Sequence, residues 1–413
     1  MNVAAMSRRS WVLLIAAATG CDSGPGRDGA TVRDSVGVMV IEHGPSLPPD
    51  VGRWSFEPDP VADLGDAGGD DAYLFSRIVQ ASSLPGGHLV VADRETRDFR
   101  IFDSTGILVK RFGRKGKGPG EFQTLAWVGV DPSGGITAYD FSLRRLSRFF
   151  ADGTLDKIVS LESVPVGSVQ GQFEDGSVLF SRRVASLAAE NDPTKLSTGL
   201  VRDSIELLLI SPDGSSSTSV GRFPGTQELR AVGPGVIVPG VAPFGLRTVI
   251  AVANTVFYLS TQESWEIRVY RRDGKIQRII RRRVGPAAVT AASREAWQRQ
   301  HGARLERLRA GPPAPPAVLT VAEYSTLPEA FPPHGDLRTD RSGNVWVENY
   351  RPFPAEDTLT TWLVFNPEGA ILATAELPNV QITEIGTDRV VGVWRDEDDV
   401  PHVRVYRLVK HRP

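Results

Sequence analysis

Catalysis or metal binding has to come from histidine, cysteine, carboxylate or hydroxyl groups at workable spacings, and here those groups are scattered. The six histidines are His43, His88, His301, His334, His402 and His411. No two fall at a zinc-ligand spacing. Cys21 is the single cysteine, so the chain can form neither a cysteine-based metal centre nor an internal disulfide. No cofactor is expected, although a Ca²⁺ or Zn²⁺ site assembled from separate segments stays open, because spacing along the chain does not test it. Asp93 and Asp140 each close a β-rich run, and a pair of carboxylates can coordinate Ca²⁺ or share acid and base roles. Their recurrence at equivalent places favours a plainer role: accepting hydrogen bonds from loop amides, or pairing with Arg97, Arg144 or Arg145.

The stretch from Gly113 to Gly120 alternates glycines with Arg114, Lys115 and Lys117, which invites comparison with a phosphate-binding loop. It lacks the terminal Gly-Lys-Ser/Thr and the following helix that would aim amides at phosphate. The glycines are better explained as positions of positive φ in a linker stiffened by Pro119. Arg114, Lys115 and Lys117 remain candidates for contacting an anionic partner.

With 47 basic and 49 acidic residues in 413, the formal charge is −2, which gives no electrostatic ground for expecting nucleic acid. The first 20 residues read as an export signal: Arg8 and Arg9 precede an apolar run from Trp11 to Ala18 that is too short to span a bilayer. Ala18-Thr-Gly-Cys21 resembles a bacterial lipobox, which implies that Cys21 is acylated and begins the mature chain. Residues 21–35 then suit a flexible tether. The expectation is a membrane-anchored lipoprotein on the periplasmic or extracellular side, with inner or outer membrane left open.

From Val36 onward the chain repeats a block of short strands and tight turns. One copy has Pro85-Gly-Gly87, His88-Leu-Val-Val-Ala-Asp93, Phe99-Arg-Ile-Phe102, Asp103-Ser-Thr-Gly106 and Ile107-Leu-Val-Lys-Arg-Phe112. A second runs from Asp131 to Val159, and weaker copies share a turn glycine at 214, 274 and 369. Each block builds a four-stranded antiparallel meander. Five are visible, and Val380 to Leu408 suggests a sixth that ends one strand short. That strand must come from the N-terminal side, near residues 53–65, with Val38 to Ile41 adding to an edge.

Val90-Val-Ala-Asp93, Arg100-Ile-Phe102 and the linker Phe112-Gly-Arg-Lys-Gly-Lys-Gly-Pro-Gly-Glu-Phe122 resemble the NHL-type six-bladed β-propellers of bacterial lipoproteins, most clearly over residues 75–160. The reading is therefore an all-β chain: a β-propeller of four-stranded blades over residues 36–410. A helical insertion at 281–327 separates blades four and five. Within it Thr290 can cap a helix running to Ala310, whose thin stripe of Trp297, His301, Leu305 and Leu308 suits a lid on the propeller better than a membrane-surface helix.

Strand direction puts the linkers and the longer loops on one face and the tight turns on the other. Elaboration on one face of a repeat fold marks a binding surface. Arg94, Tyr350, Arg351, Trp394 and Trp297 join Arg114, Lys115 and Lys117 there as candidate contacts for an unknown protein or small-molecule ligand. The expected function is a binding scaffold; a propeller hydrolase or lyase with a channel-mouth carboxylate or metal site is the alternative.

Overall fold

Leu89–Asp93, Asp98–Phe102 and Ile136–Asp140 are buried at every position rather than at alternate ones. Strands buried on both faces need a sheet covered on both sides. The computed structural model, which describes residues 29–65, 69–184, 198–233, 236–354 and 359–411, meets that need with a six-bladed β-propeller. Cys21 and the export-type segment lie outside the described residues.

The blades occupy residues 78–112, 125–160, 168–224, 249–282, 337–378 and 381–411. Buried apolar side chains form six clusters, and each lies between two neighbouring blades. Between blades one and two, for example, Val90, Phe99 and Ile101 meet Phe122, Leu125 and Phe149. The core is thus a ring of interfaces.

The recurring turn glycines, 106, 153, 214, 274 and 369, all take φ between +72° and +92°. These are left-handed values that glycine reaches without strain. In blade four the first turn has no glycine, and Asn254 supplies the left-handed residue at φ +49°, which asparagine tolerates better than most side chains.

The ring closes through the N-terminal segment. Blade six has three strands of its own, and β4 (Ala62–Leu64) pairs antiparallel with the last of them, Leu64 against Val403. Residues 53–65 do not act as one strand, because β3 (Gly52–Phe56) takes a separate position. It pairs antiparallel with the end of the same terminal strand and parallel with the outer strand of blade five. Two blades are stitched together by it. Buried Arg100 secures the chain leaving β4: its Nη1 donates to Ala72 O and Leu74 O, and its guanidinium lies 5.0 Å from the Phe75 ring centroid.

Residues 31–35, which composition suggested as part of a flexible tether, form a strand instead. Thr31–Ser35 forms β1, paired antiparallel with β2 (Val38–His43), and β2 runs parallel to the outer strand of blade four.

The insertion is helical: α1 spans Ala291–Ala310 with Thr290 accepting from Ser293 N, and α2 spans Pro316–Ala322. Only Ser293 of α1 is buried, so α1 stands largely in solvent instead of closing over a blade as a lid. The shorter α2 does pack, against a side sheet of Gly199–Val201, Glu228–Gly233 and Val236–Val241. There a Cβ on Gly240 would sit 2.1 Å from Val321 Cγ1.

Closure can be checked at Leu64, which is 5% exposed and belongs to the cluster between blades six and one. Leu64→Ala should lower stability by about 2–4 kcal/mol in urea unfolding. Val61→Ala, at a residue 57% exposed, should change it by less than about 0.5 kcal/mol. Equal midpoints for the two variants would contradict closure by β4.

Candidate functional site

The innermost strands of the six blades, Ile78–Ser83, Leu125–Val130, Ser168–Gln172, Val249–Ala253, Leu337–Thr339 and Gln381–Ile385, surround the central channel. A cavity of about 290 Å³ lies between them, and every blade contributes to its wall: Gln80, Trp127, Gln170, Ile250, Arg338 and Thr383. Asp131, Glu174 and Asn254, just beyond strand ends, also line it. The cavity therefore opens among the tight turns.

Most of its polar groups are held in place. Gln80 Nε2 donates to Ser82 Oγ (2.7 Å) and to Thr383 O (2.9 Å), and Gln170 Nε2 donates to Ser181 Oγ (2.8 Å). Asp131 Oδ1 caps its own turn, accepting from Ser133 N, Ser133 Oγ and Gly135 N. Glu384 Oε2 accepts from Ser83 N (2.8 Å) and Arg341 Nη2 (3.0 Å), joining blades five, six and one. The Trp127 indole folds over Gly129, where a Cβ would come 2.3 Å from Cη2; glycine at that position is what lets the ring lie against the wall. Arg338 is half-buried, and its side chain makes no hydrogen bond or ion pair with any described residue.

No histidine, cysteine or lysine lines this cavity. Among the described residues no group of three or more His, Cys, Asp or Glu is placed to hold a metal ion. The wall thus combines fixed amides, an indole, one guanidinium without a side-chain partner among the described residues, and the carboxylates of Asp131, Glu174 and Glu384.

None of the residues singled out from the sequence lines the channel cavity, and each one with a functional side chain in view has work inside the fold or stands in solvent. Arg94 donates from Nε to Leu125 O (2.9 Å) and from Nη2 to Ala126 O (3.2 Å), fastening blade one to blade two. Arg114 pairs with Glu121 (2.7 Å), while Lys115 and Lys117 are exposed. Tyr350 stacks on Phe331 (5.3 Å), and burial raises its phenol above the usual range. Arg351 donates to Asn379 Oδ1 (3.0 Å). Trp394 lies under the Arg404 guanidinium (3.4 Å to the ring centroid), which in turn pairs with Asp63 of β4. Trp297 stacks on His301 within α1 (4.3 Å). Cys21 lies outside the described residues.

Asp93 and Asp140 satisfy loop amides, as their repetition suggested. Asp93 accepts from Ser76 N, Arg77 N and Glu95 N; Asp140 accepts from Gln123 N, Thr124 N and Leu143 N. Neither carboxylate pairs with Arg97, Arg144 or Arg145; those arginines bind main-chain carbonyls instead. The glycine-rich linker carries its own anion. Gly118 N donates to Glu121 Oε2 (2.8 Å), and a Cβ on Gly116 would fall 2.1 Å from the same oxygen. A phosphate is excluded from that amide by the carboxylate already there.

A family model described as a 6-bladed beta-propeller matches residues 70–175. No curated protein matches the chain. Among solved structures, a member of the DUF4221 family from Bacteroides vulgatus is 11% identical, with 87% of this chain and 99% of that one covered at a TM-score of 0.48. Regucalcin, a calcium-binding protein from Agrobacterium tumefaciens, is 10% identical, with coverage of 87% and 98% and a TM-score of 0.39. A gluconolactonase from Xanthomonas campestris is 14% identical, with coverage of 87% and 98% and a TM-score of 0.39.

On the elaborated face one histidine is fully buried. His334 Nδ1 lies 2.9 Å from Gly335 O, which can only accept, so the proton sits on Nδ1 and Nε2 accepts from Ser260 Oγ at 2.8 Å. Burial pushes its pKa from about 6.5 down to about 4. Between those values the unfolded chain binds a proton that the folded chain does not, so stability falls as pH falls. The contribution is fully present above pH 6.5, and about 3 kcal/mol of it is lost by pH 4. Urea midpoints for the wild type and His334→Asn should converge as pH drops from 7 to 4; a constant difference would show that His334 does not titrate in this window.

Proposed function

We propose that this chain is an extracytoplasmic propeller, tethered to a membrane through acylated Cys21, that holds a small polar ligand in its channel without transforming it. The observation that carries the ligand half of this reading is the cavity furnished by all six inner strands. Most of its polar groups are pre-oriented by hydrogen bonds, which limits the ordering cost of binding. The tether half rests on Cys21, the single cysteine, placed at the end of an export-type segment and resembling a lipobox. The resemblance to NHL-type lipoprotein propellers agrees with the tether half. No helix among the described residues is long and apolar enough to cross a membrane.

The hydrolase or lyase reading is weaker, because Asp131 and Glu384 are tied to turn and inter-blade donors and offer no free carboxylate pair. A protein partner is a second reading with its own support: α1 and the side sheet both stand on the face opposite the cavity, where loops between strands have been extended into structure. That face would dock the partner while the channel holds the ligand.

Replacing Cys21 by serine should move the protein from the membrane fraction to the soluble fraction and abolish labelling by a fatty-acid analogue. Labelling that persists in Cys21→Ser would rule out this anchor.

A further inference from the structure

We propose that the channel takes a hydroxylated carboxylate of about one-sugar size and that Arg338 binds its charge. This rests on the reading of the channel as a ligand site and gives that ligand a chemistry. The cavity wall carries one cation and three acids: Arg338, Asp131, Glu174 and Glu384. The acids outnumber the arginine, yet they are not equivalent to it. Asp131 caps its turn through three donors, Glu384 is held by Ser83 and Arg341, and Glu174 is exposed at the mouth.

Arg338 has no such partner among the described residues. A guanidinium keeps its charge at any physiological pH and presents its donors in a planar fork that fits a carboxylate. Half-buried and unpaired inside a wall of fixed dipoles, it is the group most improved by an incoming anion.

The rest of the wall favours hydroxyls and a ring. Gln80 donates to Ser82 Oγ and Thr383 O and Gln170 donates once, to Ser181 Oγ, and the carbonyl oxygens of both can receive hydroxyl protons; Gln172 has no side-chain partner among the described residues. The Trp127 indole over Gly129 offers an apolar platform. Such a platform suits the C–H face of a saturated ring. A volume of about 290 Å³ lies at the small end of ligand pockets, so one ring fits better than a chain of them.

Three probes of nearly equal size separate the charges: D-glucuronate, D-glucose and D-glucosamine, each titrated calorimetrically into the full chain. Glucuronate should bind, the other two more weakly, and Arg338→Met should weaken glucuronate about 10- to 100-fold. Because Arg338 supports no other residue, the unliganded thermal midpoint of Arg338→Met should move by no more than about 2 °C, and Arg338→Lys should recover part of the affinity. Binding of glucose as tight as glucuronate, tighter binding of glucosamine, or glucuronate binding unchanged in Arg338→Met would each overturn the assignment of charge while leaving the channel as a ligand site. Silence toward all three would reject a sugar-sized ligand altogether and with it the channel reading; labelling at Cys21 is unaffected by either result.

Discussion

The structure depends on one constraint: each blade has two apolar faces, so no blade can be dry unless it has a neighbour on both sides. Val90, Val91 and Ala92 are consecutive and all buried, with Val91 packed toward blade six and Val90 and Ala92 toward blade two. Burying such faces drives folding, and an open row of sheets would leave one apolar face wet at each end. Only a closed ring removes both ends. That is why three residues of β4, contributing Leu64 to the last interface, matter more than their length suggests, and why the chain supports them with β3, Arg100 and the Trp394–Arg404–Asp63 stack.

Closing a ring also forces the chain to cross between blades many times, and each crossing exposes backbone amides that need partners. Short polar side chains at strand ends do this work. Asp93 and Asp140 each gather amides from the linker entering the same blade and from the loop leaving the second strand. Arg97, Arg144 and Arg145 hold linker carbonyls in a complementary way, and Arg94 holds two carbonyls of blade two's inner strand. Residues that look available for a ligand when read along the chain are largely consumed in joining blades. Exposed pairs such as Arg114 with Glu121 add little stability by themselves, but Glu121 also shapes the glycine linker, and that explains glycine at 116 and 118.

The sequence made the outer three strands of blades one and two legible, and one strand with its turn in each of blades three to five, because tight turns with fixed glycines and apolar runs buried on both faces leave strong local signals. The cap at Thr290 was equally plain. Inner strands were not, apart from the one near Val380 in blade six. Gln80, Gln170, Gln172 and Arg338 face the channel, so polar residues interrupt short strands, and Leu337–Thr339 has only three residues in which to show a pattern. Blade four hid its first turn behind Asn254. Thr31–Ser35 read as tether because an exposed edge strand carries almost no apolar residue; four of its five positions are exposed. The channel site was beyond reach for a related reason. Its wall takes short runs from six blocks far apart in the chain, and no local spacing connects them.

Insertions on one face of a repeat fold suggest that the ligand binds there, on the premise that tight turns opposite leave nothing from which to build a pocket. The premise fails when the pocket belongs to the strands. Six inner strands leave a channel whatever their turns do, and minimal turns such as Pro132 to Gly135 keep that end uncovered. Elaboration has the opposite effect: α2 and the side sheet must bury their own apolar residues, and the loops around Phe331, Tyr350 and His334 pack on one another. The two faces can therefore differ in kind, one offering extended surface for a large partner and the other a narrow opening onto fixed amides and a single unpaired guanidinium. A small ligand gains more from the second, because a concave wall surrounds it and its charge meets a group that nothing in the protein has already neutralised.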